Sequence, residues 1–232
     1  MINSLDNQKI KYLTKLNNKK FRFEEKKFIV EGSHLVKEAK LANVLEEAFS
    51  IEEKEGYTQI SEACMKKICN TDTVVSEIAL CKMELKSELS NKVLILDRIQ
   101  DPGNMGALMR SANAFGFSTI VLGNGCCDIY NDKVIRSSQG AIFKLNFIEA
   151  DLLKFIPTLN EYKVYGTNVV NGIDLKDVKH SSKLAVILGN EGSGISEEVS
   201  KLVNKNIYIK MINTESLNVS VAGSIIMYEL GA

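Results

Sequence analysis

The chain has 232 residues, 45% of them hydrophobic and 25% charged, with a formal net charge of zero. That is the composition of an ordinary globular protein, which sets disorder aside as a default, and no run of about 18 apolar residues is present to span a membrane. The start, Met1-Ile2-Asn3-Ser4-Leu5-Asp6, lacks the basic-then-apolar pattern of a secretory signal, so a cytoplasmic location is expected. Cys64, Cys69, Cys81, Cys126 and Cys127 form an odd set without CxxC spacing, which excludes a closed disulfide framework. His34 and His180 have no cysteine or acidic ligand pattern near them, so no metal site is expected. The zero net charge conceals a segregation: residues 1–40 carry +5, residues 41–90 carry −5, and the remainder is balanced. A segregated basic segment can contact phosphates even where the total cancels, so an RNA partner stays open.

In chain order, Ile10, Leu13 and Leu16 stand at helical spacing among lysines and predict an amphipathic helix over residues 3–16. After Lys19-Lys20-Phe21-Arg22 comes a short apolar run, Phe28-Ile29-Val30, closed by Glu31-Gly32 and read as a strand. Ser33 is a candidate cap for a helix reaching Ala42. A strand over 44–49 and a helix over 61–69 complete a small α/β unit. The polar stretch 84–91 is the best available boundary, dividing the chain into residues 1–88 and 89–232. Beyond it, strands are expected at 93–97, 118–122, 162–168, 184–189 and 206–210, with helices near 104–115, 151–159, 196–203 and 218–229. Such alternation argues for an α/β domain with a mostly parallel sheet.

Three segments carry chemistry. In the first, Leu96-Asp97-Arg98-Ile99-Gln100-Asp101-Pro102-Gly103-Asn104-Met105-Gly106-Ala107-Leu108-Met109-Arg110, a strand empties through a turn into a helix. Read structurally, Asn104 is a helix cap and Arg110 a surface charge. Both also lie within two helical turns of the sheet end where ligands of open α/β folds bind. In the second, Ala185-Val186-Ile187-Leu188-Gly189-Asn190-Glu191-Gly192-Ser193-Gly194, an apolar strand enters a glycine-rich loop. It is neither a P-loop nor GxGxxG, and Glu191 would repel a phosphate. In the third, Ile209-Lys210-Met211-Ile212-Asn213-Thr214-Glu215-Ser216-Leu217-Asn218-Val219-Ser220, a polar cluster at a helix entrance offers hydrogen bonds to a ligand. Ala222-Gly223-Ser224 and Ile225-Ile226-Met227 follow it and suit close packing against a second subunit.

In this order the segments resemble the SpoU/TrmH family of ribose 2′-O-methyltransferases, within the SPOUT class. A fourth stretch, Arg136-Ser137-Ser138-Gln139-Gly140-Ala141-Ile142-Phe143, looks like that family's R-x-S-x-G-A-x-F. The pattern Lys11…Leu16…Lys20-Phe21-Arg22…Phe28-Ile29-Val30-Glu31-Gly32 is similar to the L30e-like substrate-binding domain that many members carry. One departure is Lys210, which stands where the family commonly has proline. The resemblance implies a C-terminal trefoil-knotted SPOUT domain, a rare exception to unknotted topology, behind a small N-terminal L30e-like domain. It also implies a homodimer that methylates RNA from S-adenosylmethionine, with large-subunit ribosomal RNA the first candidate and transfer RNA the second. On this reading Asn104, Arg110, Glu191, Ser216 and Asn218 match the catalytic positions. Leu188, Gly189, Asn190, Gly192, Ile209, Met211, Leu217 and Asn218 would hold the cofactor. Lys19, Lys20, Arg22 and Arg110 would contact RNA. The rival classes are a nucleotide-binding oxidoreductase, which lacks its glycine fingerprint here, a non-catalytic RNA-binding or assembly factor, and a base-methylating SPOUT enzyme.

Overall fold

The computed structural model describes every residue except Asp72, Leu85, Val170, His180 and Ala232. His180 and part of the expected boundary at 84–91 therefore lie outside the described residues. The chain folds as two compact units: Met1–Glu84 together with Asp128–Phe143, and Leu85–Cys127 together with Lys144–Ala232. No helix among the described residues is long and apolar enough to cross a membrane.

The first unit opens with α1 (Gln8–Lys15), capped by Asn7, and α2 (Lys19–Glu25), capped by Asn18. β1 (Lys27–Glu31), α3 (Ser33–Leu41), β2 (Leu45–Ser50), β3 (Thr58–Gln59), α4 (Glu62–Ile68) and β4 (Glu77–Lys82) follow. The strands form one sheet in the order β1-β4-β2-β3. Ile10 and Leu13 from α1 close over Phe49, Cys64, Met65 and Ile78 as its core. Ser33 is not the cap of α3 but its first residue; Gly32 occupies the cap position at φ +92 and makes no side-chain cap hydrogen bond. A left-handed conformation is inexpensive for glycine and strained for any other residue.

The chain then supplies β5 (Lys92–Leu96), α5 (Pro102–Ala114) and β6 (Thr119–Leu122) to the second unit, and α6 (Asp132–Ser138) to the first. The R-x-S-x-G-A-x-F stretch spans the end of α6 and stabilises the first unit. Arg136 pairs with Asp132 at 2.7 Å and lies 3.8 Å from Glu31, while the Phe143 ring stacks against Phe28. Gly140 is required where it stands: φ is +87 and a Cβ would meet Glu38 Cγ at 2.8 Å.

Arg22 corrects an expectation. It is 6% exposed, donates to the carbonyls of Leu16 and Asn17, and pairs with Asp128 at 2.7 Å. A buried, committed guanidinium has no reach toward a phosphate, so Arg22 drops out of the RNA contact set. Asp128→Ala should cost about 3–5 kcal/mol, because it strands a buried cation. Urea denaturation checks this, and a loss below about 1 kcal/mol would make the pair a bystander.

The second unit continues with β7 (Asn146–Glu149), α7 (Leu152–Phe155), β8 (Lys163–Thr167), β9 (Ile173–Asp174), β10 (Leu184–Leu188), α8 (Glu197–Ser200), β11 (Lys205–Tyr208) and α9 (Val219–Gly231). Seven strands, each parallel to its neighbours, run in the order β7-β6-β5-β10-β8-β11-β9. β10 is buried along its whole length, as a central parallel strand covered on both faces must be. α9 packs on α5: Ser111 and Ser224 share a 2.6 Å hydrogen bond, and a Cβ on Gly223 would meet Leu108 and Leu188 at 2.6 Å. Gly223, Ser224, Ile226 and Met227 thus serve packing within the unit, not the packing against a second subunit expected of them. The apolar side chains that α9 exposes are Val221, Ile225 and Tyr228.

Candidate active site

Three loops leave the C-terminal ends of β5, β10 and β11, the end where ligands of open parallel sheets bind. The β5 loop turns into α5 through Asp101, whose carboxylate accepts from the Asn104 N–H at 2.8 Å, with Pro102 in the first turn. Asp101 is therefore the cap. Asn104, expected in that role, sits one turn inside with its side-chain amide free for other bonds.

The β10 loop is a closed turn. Asn190 and Gly194 exchange two main-chain hydrogen bonds at 3.0 and 2.9 Å. The Asn190 Oδ1 accepts from the N–H groups of Gly192 and Ser193, and its Nδ2 donates to the Arg98 carbonyl. Arg98, at φ +60, reaches back over the turn to Ser193 Oγ and the Gly194 carbonyl. Beneath it, buried Asp97 accepts from Arg98 Nε at 3.0 Å and from the Ser196 N–H at 2.7 Å. Burial pushes the Asp97 carboxyl up, but those bonds outweigh it and hold the group below its usual value. The sequence reading did not single out Asp97 or Arg98; the available signal was a charged pair closing an all-apolar strand.

The turn presents Glu191 to α5. Its carboxylate accepts from Asn104 Nδ2 at 3.2 Å and from the N–H groups of Asp101 and Gln100 at 3.1 and 3.4 Å. Burial alone would raise its pKa; its own N–H, the Asn104 amide and the two main-chain donors outweigh that and lower it. Glu191 is thus an ionised, acceptor-only anchor that fixes which way the Asn104 amide points. The Asn104 Oδ1 accepts from Asn218 Nδ2 at 3.0 Å, and the Asn218 Oδ1 accepts from the N–H groups of Ser220 and Val221 at the start of α9. All three loops are joined through Asn218, Asn104 and Glu191.

Of the other expected residues, Leu188 and Gly189 are buried at the end of β10, Ile209 and Met211 are half-buried after β11, and Leu217 is exposed beside Ser216. Gly192 lies at the tip of the turn. Ser216 accepts at its carbonyl from Thr214 Oγ1 and is not hydrogen-bonded to the three-residue chain. The Arg110 side chain is exposed on α5, with no hydrogen bond or ion pair among the described residues. Lys19 and Lys20 are exposed on α2, in the other unit.

The groups around the turn are side-chain amides, peptide groups, the two ionised carboxylates of Asp97 and Glu191, and the Arg98 guanidinium that Asp97 pairs. Such a set suits a ligand that carries a heteroaromatic base and, apart from it, a cationic centre. S-adenosylmethionine, with its adenine and sulfonium, fits it.

Residues 91–228 match the SpoU rRNA Methylase family, and residues 7–79 match the MRM3-like substrate binding domain. The chain is 35% identical to the 23S rRNA (guanosine(2553)-2′-O)-methyltransferase RlmP of Bacillus subtilis, over 99% of this chain and 98% of that one. A crystal structure of an RNA 2′-O ribose methyltransferase superimposes with a TM-score of 0.84 at 26% identity, covering 99% of this chain and 97% of the other. The fold also matches an AdoMet-bound rRNA methyltransferase from Sinorhizobium meliloti, with a TM-score of 0.90 at 23% identity over 99% and 96% of the two chains. On the match across the second unit and the full-length likeness to RlmP, the chain belongs to the SpoU rRNA methylase family.

Proposed function

We propose that the chain transfers the methyl group of S-adenosylmethionine to a ribose 2′-hydroxyl of 23S ribosomal RNA, as a cytoplasmic homodimer. The observation that carries this reading is the hydrogen-bonded chain from Asn218 through Asn104 to Glu191, which joins the three family segments at one end of the sheet. The cofactor supplies an electrophilic methyl on a cationic sulfur. Leu188, Gly189, Asn190, Gly192, Ile209, Met211, Leu217 and Asn218 would hold it, largely through main-chain groups.

The protein has to align the acceptor hydroxyl with that methyl, since positioning supplies much of the acceleration in such a transfer. Asn104 and Ser216 orient the acceptor. Arg110 holds the adjacent phosphate and stabilises negative charge as it develops on the ribose oxygen. Neither Arg110 nor Glu191 is suited to take the proton: a guanidinium is always charged, and Glu191 is a weakened base tied up by four donors. Glu191 acts by holding Asn104. Its lowered pKa means the anchor is intact above the usual carboxylate value of about 4.3 and is lost as pH falls through the lowered one. Glu191→Gln should slow methyl transfer about 10- to 100-fold, the worth of a charged hydrogen bond, and remove that acid limb from the rate profile. An unchanged rate would exclude the anchoring role.

Residues 89–232 serve as the methyltransferase domain, and the likeness to SPOUT enzymes supports a trefoil knot within it. Residues 1–88 serve as the RNA-binding domain, with Lys19 and Lys20 contributing phosphate contacts. The exposed apolar face of α9 at Val221, Ile225 and Tyr228 supports dimerisation. Light scattering should give a mass near twice 25.8 kDa; a monomer at micromolar concentration would contradict the homodimer. The activity itself is tested by mapping 2′-O-methylation at nucleotide resolution in RNA from cells with and without the protein. Loss of one 23S site supports the reading, and loss of a transfer-RNA site alone redirects it.

A further inference from the structure

Phe23 projects from α2 with 44% of its surface exposed, on the most basic segment of the chain. A single exposed phenylalanine is unremarkable on its own. Its surroundings set this one apart. The ring is the outer member of an aromatic series that reaches the unit's core: it meets Tyr130 edge-on at 6.3 Å, and Tyr130 lies 5.0 Å from Phe28, which is fully buried. Bracing of this kind fixes the ring's orientation, so little entropy is lost when something lands on it.

The remaining surface is framed by cations. Lys19 Nζ stands over the ring, 5.6 Å from its centre, and Lys20, 85% exposed, lies alongside. Asn18, Lys19, Lys20, Phe23 and Glu24 together line a shallow hollow. Glu24 lies 3.8 Å from Lys20, which offsets its charge. An aromatic platform with lysines at its rim matches the two halves of a nucleotide: a flat base to stack and a phosphate to pair. A protein partner with an apolar face would have to bury those ammonium groups unpaired, which disfavours it.

We propose that Phe23 is a stacking platform for an unpaired base of the RNA substrate, with Lys19 moving from the ring to the adjacent phosphate as the base arrives. This inference rests on the RNA-methylating reading above and adds a substrate feature: an unstacked nucleotide in a loop, bulge or single strand, since a paired base has no free face to offer.

The chain contains no tryptophan, which makes the test direct. Phe23→Trp places a sole indole at the platform. Its fluorescence should be quenched by a mixed-sequence single-stranded oligoribonucleotide of about 12 nucleotides, within the usual range of single-strand site sizes, and not by a duplex of the same length. Phe23→Ala should weaken binding to large-subunit ribosomal RNA about 10-fold, with S-adenosylmethionine affinity unchanged. Lys19→Ala and Lys20→Ala should instead flatten the salt dependence of RNA binding. If the wild type methylates ribosomal RNA while Phe23→Ala binds it normally and Phe23→Trp is not quenched, the platform is refuted and the activity stands. If the wild type neither binds nor methylates RNA, the underlying reading falls and the platform with it. If Phe23→Ala changes the oligomeric mass, the face is a protein interface and the proposal is overturned.

Discussion

Arg110→Ala is expected to abolish methyl transfer while leaving stability and S-adenosylmethionine affinity close to wild type. The structural basis is the isolation of this side chain. The Arg110 side chain is exposed on α5 and, among the described residues, has no hydrogen-bond or ion-pair partner. Removing it strands no buried group, and a surface change of this kind stays within about 0.5 kcal/mol. The helix carrying it is the one that Glu191 grips through Asn104, so its base is fixed relative to the glycine turn. A cation placed this way is free to receive a ribose-phosphate. Loss of one charge-assisted stabiliser in a transition state costs about 100- to 1,000-fold in rate. Arg110→Lys should be impaired nearly as badly, because a single ammonium cannot reproduce a planar fork that holds a phosphate and a hydroxyl together. Single-turnover methyl transfer at saturating RNA isolates this role from binding. A wild-type rate for Arg110→Ala under those conditions would remove the residue from the catalytic set.

The strands at 93–97, 118–122 and 184–189 were legible because each is a compact run of β-branched and leucine side chains, and all three fold within a residue of expectation. β4 escaped because Glu-Ile-Ala-Leu-Cys-Lys is poor in strand formers, although it is the inner strand that pairs with both β1 and β2. α2 and α6 escaped for a different reason. Each is a seven-residue helix defined by an asparagine cap, Asn18 and Asn131, and too short to display a period. Within the site, the three loops could be located because glycine, asparagine and serine cluster where strands end. The bonds among them could not be read from the sequence: Glu191 meets Asn104 across 87 residues and Asn218 meets Asn104 across 114. The same distance hid the fate of Arg22, whose partner Asp128 lies 106 residues away. Local charge marked Arg22 as an RNA contact; a long-range ion pair made it a strut.

Substitutions at the three loop glycines should separate sharply, with Gly189→Ala the most damaging by far. A Cβ at Gly189 would lie 2.1 Å from both the Gly194 carbonyl carbon and the Ile195 nitrogen. Both atoms belong to main chain, so no side chain can rotate to make room. Either β10 or the turn has to move. β10 is held by β5 on one side and β8 on the other, whereas the turn is closed by the two hydrogen bonds between Asn190 and Gly194. The turn therefore gives way, at a cost of about 1 kcal/mol for each of the two bonds it loses. Its opening also disturbs the bonds that tie Asn190 to the Arg98 carbonyl and Ser196 to Asp97, and with them the position of Glu191. Cofactor affinity should fall at least 100-fold, about 2.7 kcal/mol, while the rest of the sheet persists. Gly194→Ala meets open space but sits at φ +67, so it should cost about 1 kcal/mol of backbone strain and a few-fold in affinity. Gly192→Ala, whose nearest contact would be Asn190 Oδ1 at 3.7 Å, should be close to silent. Calorimetry with S-adenosylmethionine, alongside circular dichroism to verify folding, reads the series. If Gly189→Ala binds the cofactor as Gly192→Ala does, the turn at 189–194 is not its cradle.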